Sequence, residues 1–229
     1  MTHVCNRSHT AQPTIKKMTR RVVITGCSAL TPAGHGKHDI LEHLTKGTSG
    51  VKKLKHDALY AKYIDAGVFG SVDYRVDYDF RRRDRKTMGP VSYYACQVAK
   101  EALAMAGPGE AFITSGRMGV AFGSTHGSPL VQRALYRALF DDTYPGYSSI
   151  KASDYLKFMV HTTAVNITKM FGITGRVISS CTACTTSSQS IGFGYEMIKY
   201  GMQDAMLCGG ADEYDMSTVA VFDNLMACS

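Results

Sequence analysis

Two cysteines three positions apart, Cys181 and Cys184, stand where an apolar run gives way to small residues. Val177 and Ile178 precede them. A run from Thr185 to Ser190 follows, then Ile191, Tyr195, Ile198 and a stop at Gly201. β-branched residues favour a strand, and apolar residues three to four apart favour a helix. The pattern is strand, sharp turn, helix, with Cys184 at the turn. A cysteine there faces unpaired backbone N–H groups and the positive end of the helix dipole, which favour thiolate over thiol. The chemistry this suits is nucleophilic acyl transfer through a thioester. Two other readings compete. A cysteine taken alone is more often a packed core residue. The spacing also spells Cys-x-x-Cys, which a redox dithiol or half a zinc site would use. A zinc site needs a second ligand pair, but the other cysteines are single and no closely spaced histidine pair lies nearby. A thioredoxin-like context is also lacking.

The elements that must hold this turn follow from periodicity. Residues 21–27 read as a buried strand and 37–46 as a helix with Ile40, Leu41 and Leu44 on one face. A strand is expected around 66–72. Pro90 opens a helix running to Ala106, and Gly107-Pro108-Gly109 breaks it. Residues 118–123 read as a strand, 128–140 as a helix, 141–149 as a loop and 154–171 as one helix stopped by Gly172. Strand 176–180, helix 185–200, strand 204–209 and helix 216–226 complete the chain. The alternation of strand and helix argues for a layered α/β domain.

Composition narrows the class. The chain has 229 residues, 45% of them hydrophobic, enough to bury a substantial core. No apolar stretch reaches the length of a membrane-spanning helix, and residues 1–17 hold no apolar signal core. The seven cysteines are scattered, so reduced thiols in the cytoplasm are expected. The net charge of +7 fits a solvated basic surface or an acidic partner. No nucleic-acid motif accompanies it. The glycine turns at 123–127 and 209–210 match no nucleotide-binding pattern.

The core Thr182-Ala183-Cys184, with Thr185-Thr186-Ser187 and Ile191-Gly192 after it, resembles the active-site cysteine turn of the β-ketoacyl-[acyl-carrier-protein] synthases, condensing enzymes of the thiolase-like superfamily. Further segments resemble the family in order: Arg21-Val-Val-Ile-Thr-Gly26, Leu30-Thr-Pro-Ala-Gly34, Gly119-Val-Ala-Phe-Gly-Ser124, Gly201-Met-Gln-Asp204, Cys208-Gly-Gly-Ala-Asp-Glu213 and the stretch from Phe222 to Ser229. The resemblance runs from about Arg20 to the last residue.

The resemblance implies a thiolase-like half with a mixed five-stranded sheet and helices on both faces. It makes residues 18–229 the N-terminal domain, residues 1–17 a disordered extension, and leaves out the second half that carries the family's catalytic histidines. It makes Cys184 the nucleophile and Cys181 a spacer that oxidation could join to Cys184. It places His126 and Phe222 at the acyl pocket, and His126 reads equally as an exposed loop residue. Arg83 and Lys86, in a run with five basic residues in six positions (81–86), would dock acyl carrier protein. A solvated basic face is the plainer reading of that run. No metal or organic cofactor is implied, and the family forms homodimers or heterodimers. The expected function is decarboxylative condensation of an acyl thioester with malonyl carrier protein, in fatty-acid or polyene/polyketide synthesis. The alternative is a truncated, non-catalytic or partner-binding subunit.

Overall fold

The computed structural model describes residues 20–53, 64–65, 67–72, 80–141 and 146–228. In chain order the elements are β1 (Leu30–Thr31), β2 (Gly34–His35), α1 (Gly36–Lys46), β3 (Val51–Lys53), β4 (Val68–Gly70), α2 (Arg82–Arg85) and α3 (Pro90–Ala106). Then come α4 (Glu110–Ile113), β5 (Met118–Gly123), α5 (Pro129–Phe140), α6 (Ala152–Phe158), α7 (Thr162–Phe171), β6 (Val177–Ser180), α8 (Thr186–Lys199), β7 (Ala205–Gly210) and α9 (Met216–Asn224).

β5 lies at the centre of a parallel sheet in the order β6-β5-β7. Phe122 pairs with Ser179 on one side and Gly209 on the other. Every residue of β5 is buried, as a strand covered on both faces should be. Side chains alternate across the sheet. Met118, Val120 and Phe122 therefore face one way, into a core with Ala95, Cys96, Ala99 and Leu103 of α3 and Ala164 and Ile167 of α7. Gly119, Ala121 and Gly123 face the other way, towards α8. A Cβ at Gly123 would stand 2.1 Å from the Ser180 carbonyl oxygen and 2.4 Å from Thr186 Cγ2. One at Gly194 of α8 would stand 2.1 Å from Cys208 Sγ. Glycine at both places lets the helix lie directly on the sheet.

Helix limits follow local chemistry. α3 has Pro90 at its first turn, where the missing N–H costs nothing, and stops at Gly107 with a left-handed φ of 66°. Other expectations need correction. Among the described residues the main sheet has three parallel strands, and the remaining strands form two antiparallel two-stranded ribbons, so the mixed five-stranded sheet is not found. Residues 21–27 form no strand. Val23 and Ile24 are 61% and 86% exposed. This stretch runs along the end of α3 instead of joining a ladder: a Cβ at Gly26 would meet the Ala102 carbonyl at 2.2 Å, and the Ser28 hydroxyl bonds Glu101. The expected helix at 154–171 is two helices. They break at Met159, whose ψ of 132° is extended, where the Phe158 carbonyl accepts the N–H of Ser128 at 3.4 Å. Helix α1 forms as expected, but Leu41 and Leu44 on its apolar face are exposed. The expectation of a disordered extension at 1–17 lies outside the described residues.

Candidate active site

β6 ends at Ser180 and α8 begins at Thr186, so the chain turns back on itself in five residues. A single 3₁₀ turn, Ala183–Thr185, makes the reversal, and Cys184 lies at its centre, exposed. Ala183 has φ 51°, a left-handed conformation that costs a residue with a Cβ about 1 kcal/mol or more. Hydroxyl groups hold the turn in place. Thr186 Oγ1 donates to the Ala183 carbonyl at 2.7 Å and accepts the Thr182 N–H at 2.8 Å. Thr185 Oγ1 donates to the Thr182 carbonyl at 2.9 Å. Below them Ser180 and Ser190 share a 2.5 Å hydrogen bond, and Ser190 Oγ also donates to the Thr186 carbonyl at 2.9 Å. Ser180, Thr186 and Ser190 are buried. The small hydroxylic run after Cys184 is the sequence signal for this network.

The loops after β5 and β7 meet this turn at the carboxyl ends of the parallel strands, where open α/β sheets form their crevices. Cys181 Sγ contacts the Thr125 carbonyl at 3.5 Å, which puts the loop holding His126 beside the turn. His126 is exposed. The segment after β7 fixes its surroundings through three carboxylates. Asp212 accepts from Ser124 Oγ at 3.0 Å and from the Thr125 N–H at 2.8 Å. Buried Glu213 accepts the Val91 N–H at 3.1 Å and the Leu130 N–H at 3.0 Å, joining the first turns of α3 and α5. Burial pushes its carboxyl above the usual range, against the pull of those bonds. Asp215 caps α9 through the Ser217 N–H at 3.0 Å and pairs with Arg133 at 3.2 Å. The sequence Asp-Glu-Tyr-Asp carried this signal, but only the fold shows what each carboxylate reaches.

The other expected residues lie on helix α9 and around α2. Phe222 is on α9 and 41% exposed. Arg83 is exposed on α2, and Lys86 is exposed just after that helix. Asp84 is buried beneath this basic turn and accepts from Arg81 Nε at 2.8 Å, while Lys169 of α7 donates to the Arg83 carbonyl at 3.1 Å. Burial sets two of the described thiols apart. Burial pushes Cys96 up to about 12 and Cys208 to about 11, which makes them inert at neutral pH. Cys27, Cys181 and Cys184 are exposed and not disulfide-bonded. No group of three or more His, Cys, Asp or Glu side chains that could hold a metal ion occurs among the described residues. No helix among them is long and apolar enough to cross a membrane.

The chain is 34% identical to a β-ketoacyl synthase from Burkholderia phymatum of known crystal structure. The match has a TM-score of 0.81 and covers 90% of this chain and 50% of that one. It is 30% identical over 217 residues to 3-oxoacyl-[acyl-carrier-protein] synthase 1 of Escherichia coli, covering 92% of this chain and 51% of that protein. It is 31% identical over 195 residues to 3-oxoacyl-[acyl-carrier-protein] synthase 2 of Vibrio harveyi, covering 85% and 46%. The chain spans about half the length of the curated relatives it matches. Residues 19–229, which hold the Cys184 turn and the sheet beneath it, match the β-ketoacyl synthase N-terminal domain, and the chain belongs to that family.

Proposed function

We propose that this chain supplies the nucleophile of a β-ketoacyl-[acyl-carrier-protein] synthase. The observation that carries the reading is an exposed cysteine in the tight turn from β6 to α8, inside the family match. The Cys184 thiolate attacks the thioester carbonyl of an acyl carrier protein. The new carbon–sulfur bond forms to Cys184, the bond to the carrier sulfur breaks, and the carrier leaves as a thiol after taking up a proton. Malonyl carrier protein then loses carbon dioxide, and the resulting carbanion attacks the Cys184 thioester. This forms the carbon–carbon bond and frees Cys184. The oxyanion developing in each step is stabilised by backbone N–H donors, one of them from Cys184 itself. The names of the relatives in Escherichia coli and Vibrio harveyi support the carrier protein as partner.

His126 and Phe222 line the acyl pocket in this reading, and the contact between Thr125 and Cys181 supports the placement of His126. Arg83 and Lys86 dock the acidic carrier through a weak, salt-sensitive encounter. A second reading, a subunit that acts by binding a partner, is favoured by one observation. Ile191 and Tyr195 on the outer side of α8 are 54% and 46% exposed, an apolar surface suited to another protein face. The test is intact-mass measurement after incubation with acyl carrier protein bearing an acyl group. The chain gains the mass of the acyl group and the Cys184→Ala variant gains none. Labelling that survives in the variant removes Cys184 as nucleophile.

A further inference from the structure

We infer that Thr186 is a positioning residue for acyl transfer: its hydroxyl clasps the turn from both sides and fixes where Cys184 stands. The inference rests on the reading of Cys184 as acyl acceptor and goes beyond it. Thr186 Oγ1 has one proton to give, and it goes to the Ala183 carbonyl at 2.7 Å. The same oxygen accepts the Thr182 N–H at 2.8 Å. The two bonds reach the residues on either side of the Thr182–Ala183 peptide, immediately before Cys184. They oppose the strain of Ala183 in its left-handed conformation at φ 51°.

The clasp is itself anchored. Thr186 is 4% exposed and sits beneath the turn against Gly123, where a Cβ would come within 2.4 Å of its methyl group. Its carbonyl receives the Ser190 hydroxyl, and Ser190 is bonded to Ser180 at the end of β6. Strand end, helix and turn are thus joined by direct hydrogen bonds from side-chain hydroxyls. A hydroxyl in this place can set the attack geometry of a neighbouring thiol without touching the substrate. Small displacements from that geometry cost rate steeply, about 100-fold for roughly 1 Å.

Thr186→Val tests this, because valine keeps the shape and β-branching and removes both bonds. Thr186→Ser keeps the hydroxyl and removes only the methyl. Loading of Cys184 from acyl carrier protein is followed over a range of carrier concentrations, with thermal melting alongside. Thr186→Val is expected to lower the maximal loading rate by about 100-fold, with the half-saturating carrier concentration unchanged, and Thr186→Ser to restore most of the rate. Wild-type loading by Thr186→Val, or no rescue by Thr186→Ser, overturns the inference. If the unsubstituted chain takes no acyl group, the acyl-transfer reading fails by itself. The alkylation rate of Cys184 by iodoacetamide, located by peptide fragmentation, then reads the clasp alone. A slower rate in Thr186→Val upholds the clasp, and an equal rate overturns it.

Discussion

On one face of β5, Met118, Val120 and Phe122 fill the space beneath α3 and α7. On the other, Gly119, Ala121 and Gly123 leave room for α8 to lie close, and hydroxyl groups replace hydrocarbon. A single strand thus serves two purposes. The large residues exclude water and supply stability in proportion to buried apolar area. The small residues supply little area, but they bring backbone and hydroxyl oxygens near enough to fix the conformation of the turn bearing Cys184. The difference teaches that rigidity at this site comes from short hydrogen bonds over a close-packed small-residue layer.

Substitutions that separate stability from chemistry sharpen this contrast. The largest effect on stability is expected from Phe122→Ala, which opens a cavity in the α3/α7 core and should cost about 3–5 kcal/mol in urea unfolding. The loading rate of the fraction still folded should hardly change. Gly123→Ala should also destabilise, by about 1–3 kcal/mol or more, because its Cβ overpacks against the Ser180 carbonyl and the Thr186 methyl. It should slow Cys184 loading far more than Phe122→Ala does. Equal effects of the two substitutions on loading would dissolve the distinction between the faces.

The smallest effect is expected at the opposite end of the sheet, where Asp204 bridges Arg20 and Arg117. The hydrogen bond from Arg20 and then that from Arg117 hold its carboxyl below the usual range. A carboxylate with a depressed folded value stabilises the fold above its ordinary range, and the gain disappears as pH falls through the folded value. The melting-temperature gap between the unsubstituted chain and Asp204→Asn should therefore be small at neutral pH and close on acidification, with loading unchanged. A gap that does not vary with pH would show that Asp204 acts through something other than its charge.

Much of this contrast was legible in the sequence where one residue decides the outcome. Pro90 and Gly107 bound α3, the run at 118–123 marks β5, and the small residues after Cys184 mark the start of α8. Elements decided by distant contacts were not legible. Residues 21–27 have the composition of a strand, yet they lie along α3 and leave Ile24 in water. The break between α6 and α7 contains neither proline nor glycine and depends on the loop at 127–128 pressing on Phe158. Cys184 could be singled out from its neighbours in the chain. The hydroxyl run at 185–190 is visible, but the partners of Thr186 depend on the exact path of the turn at 182–185, and the double role of Glu213 exists only once α3 and α5 have met.

The central claim is that Cys184 alone among the thiols of this chain receives the acyl group. It is tested most directly by loading from acyl carrier protein, quenching in acid and locating the added mass by peptide fragmentation. The account predicts the acyl group on Cys184, with Cys181 unmodified three residues away and Cys96 and Cys208 unmodified in the interior. An acyl group found on Cys181 instead, or shared evenly between Cys181 and Cys184, would contradict it.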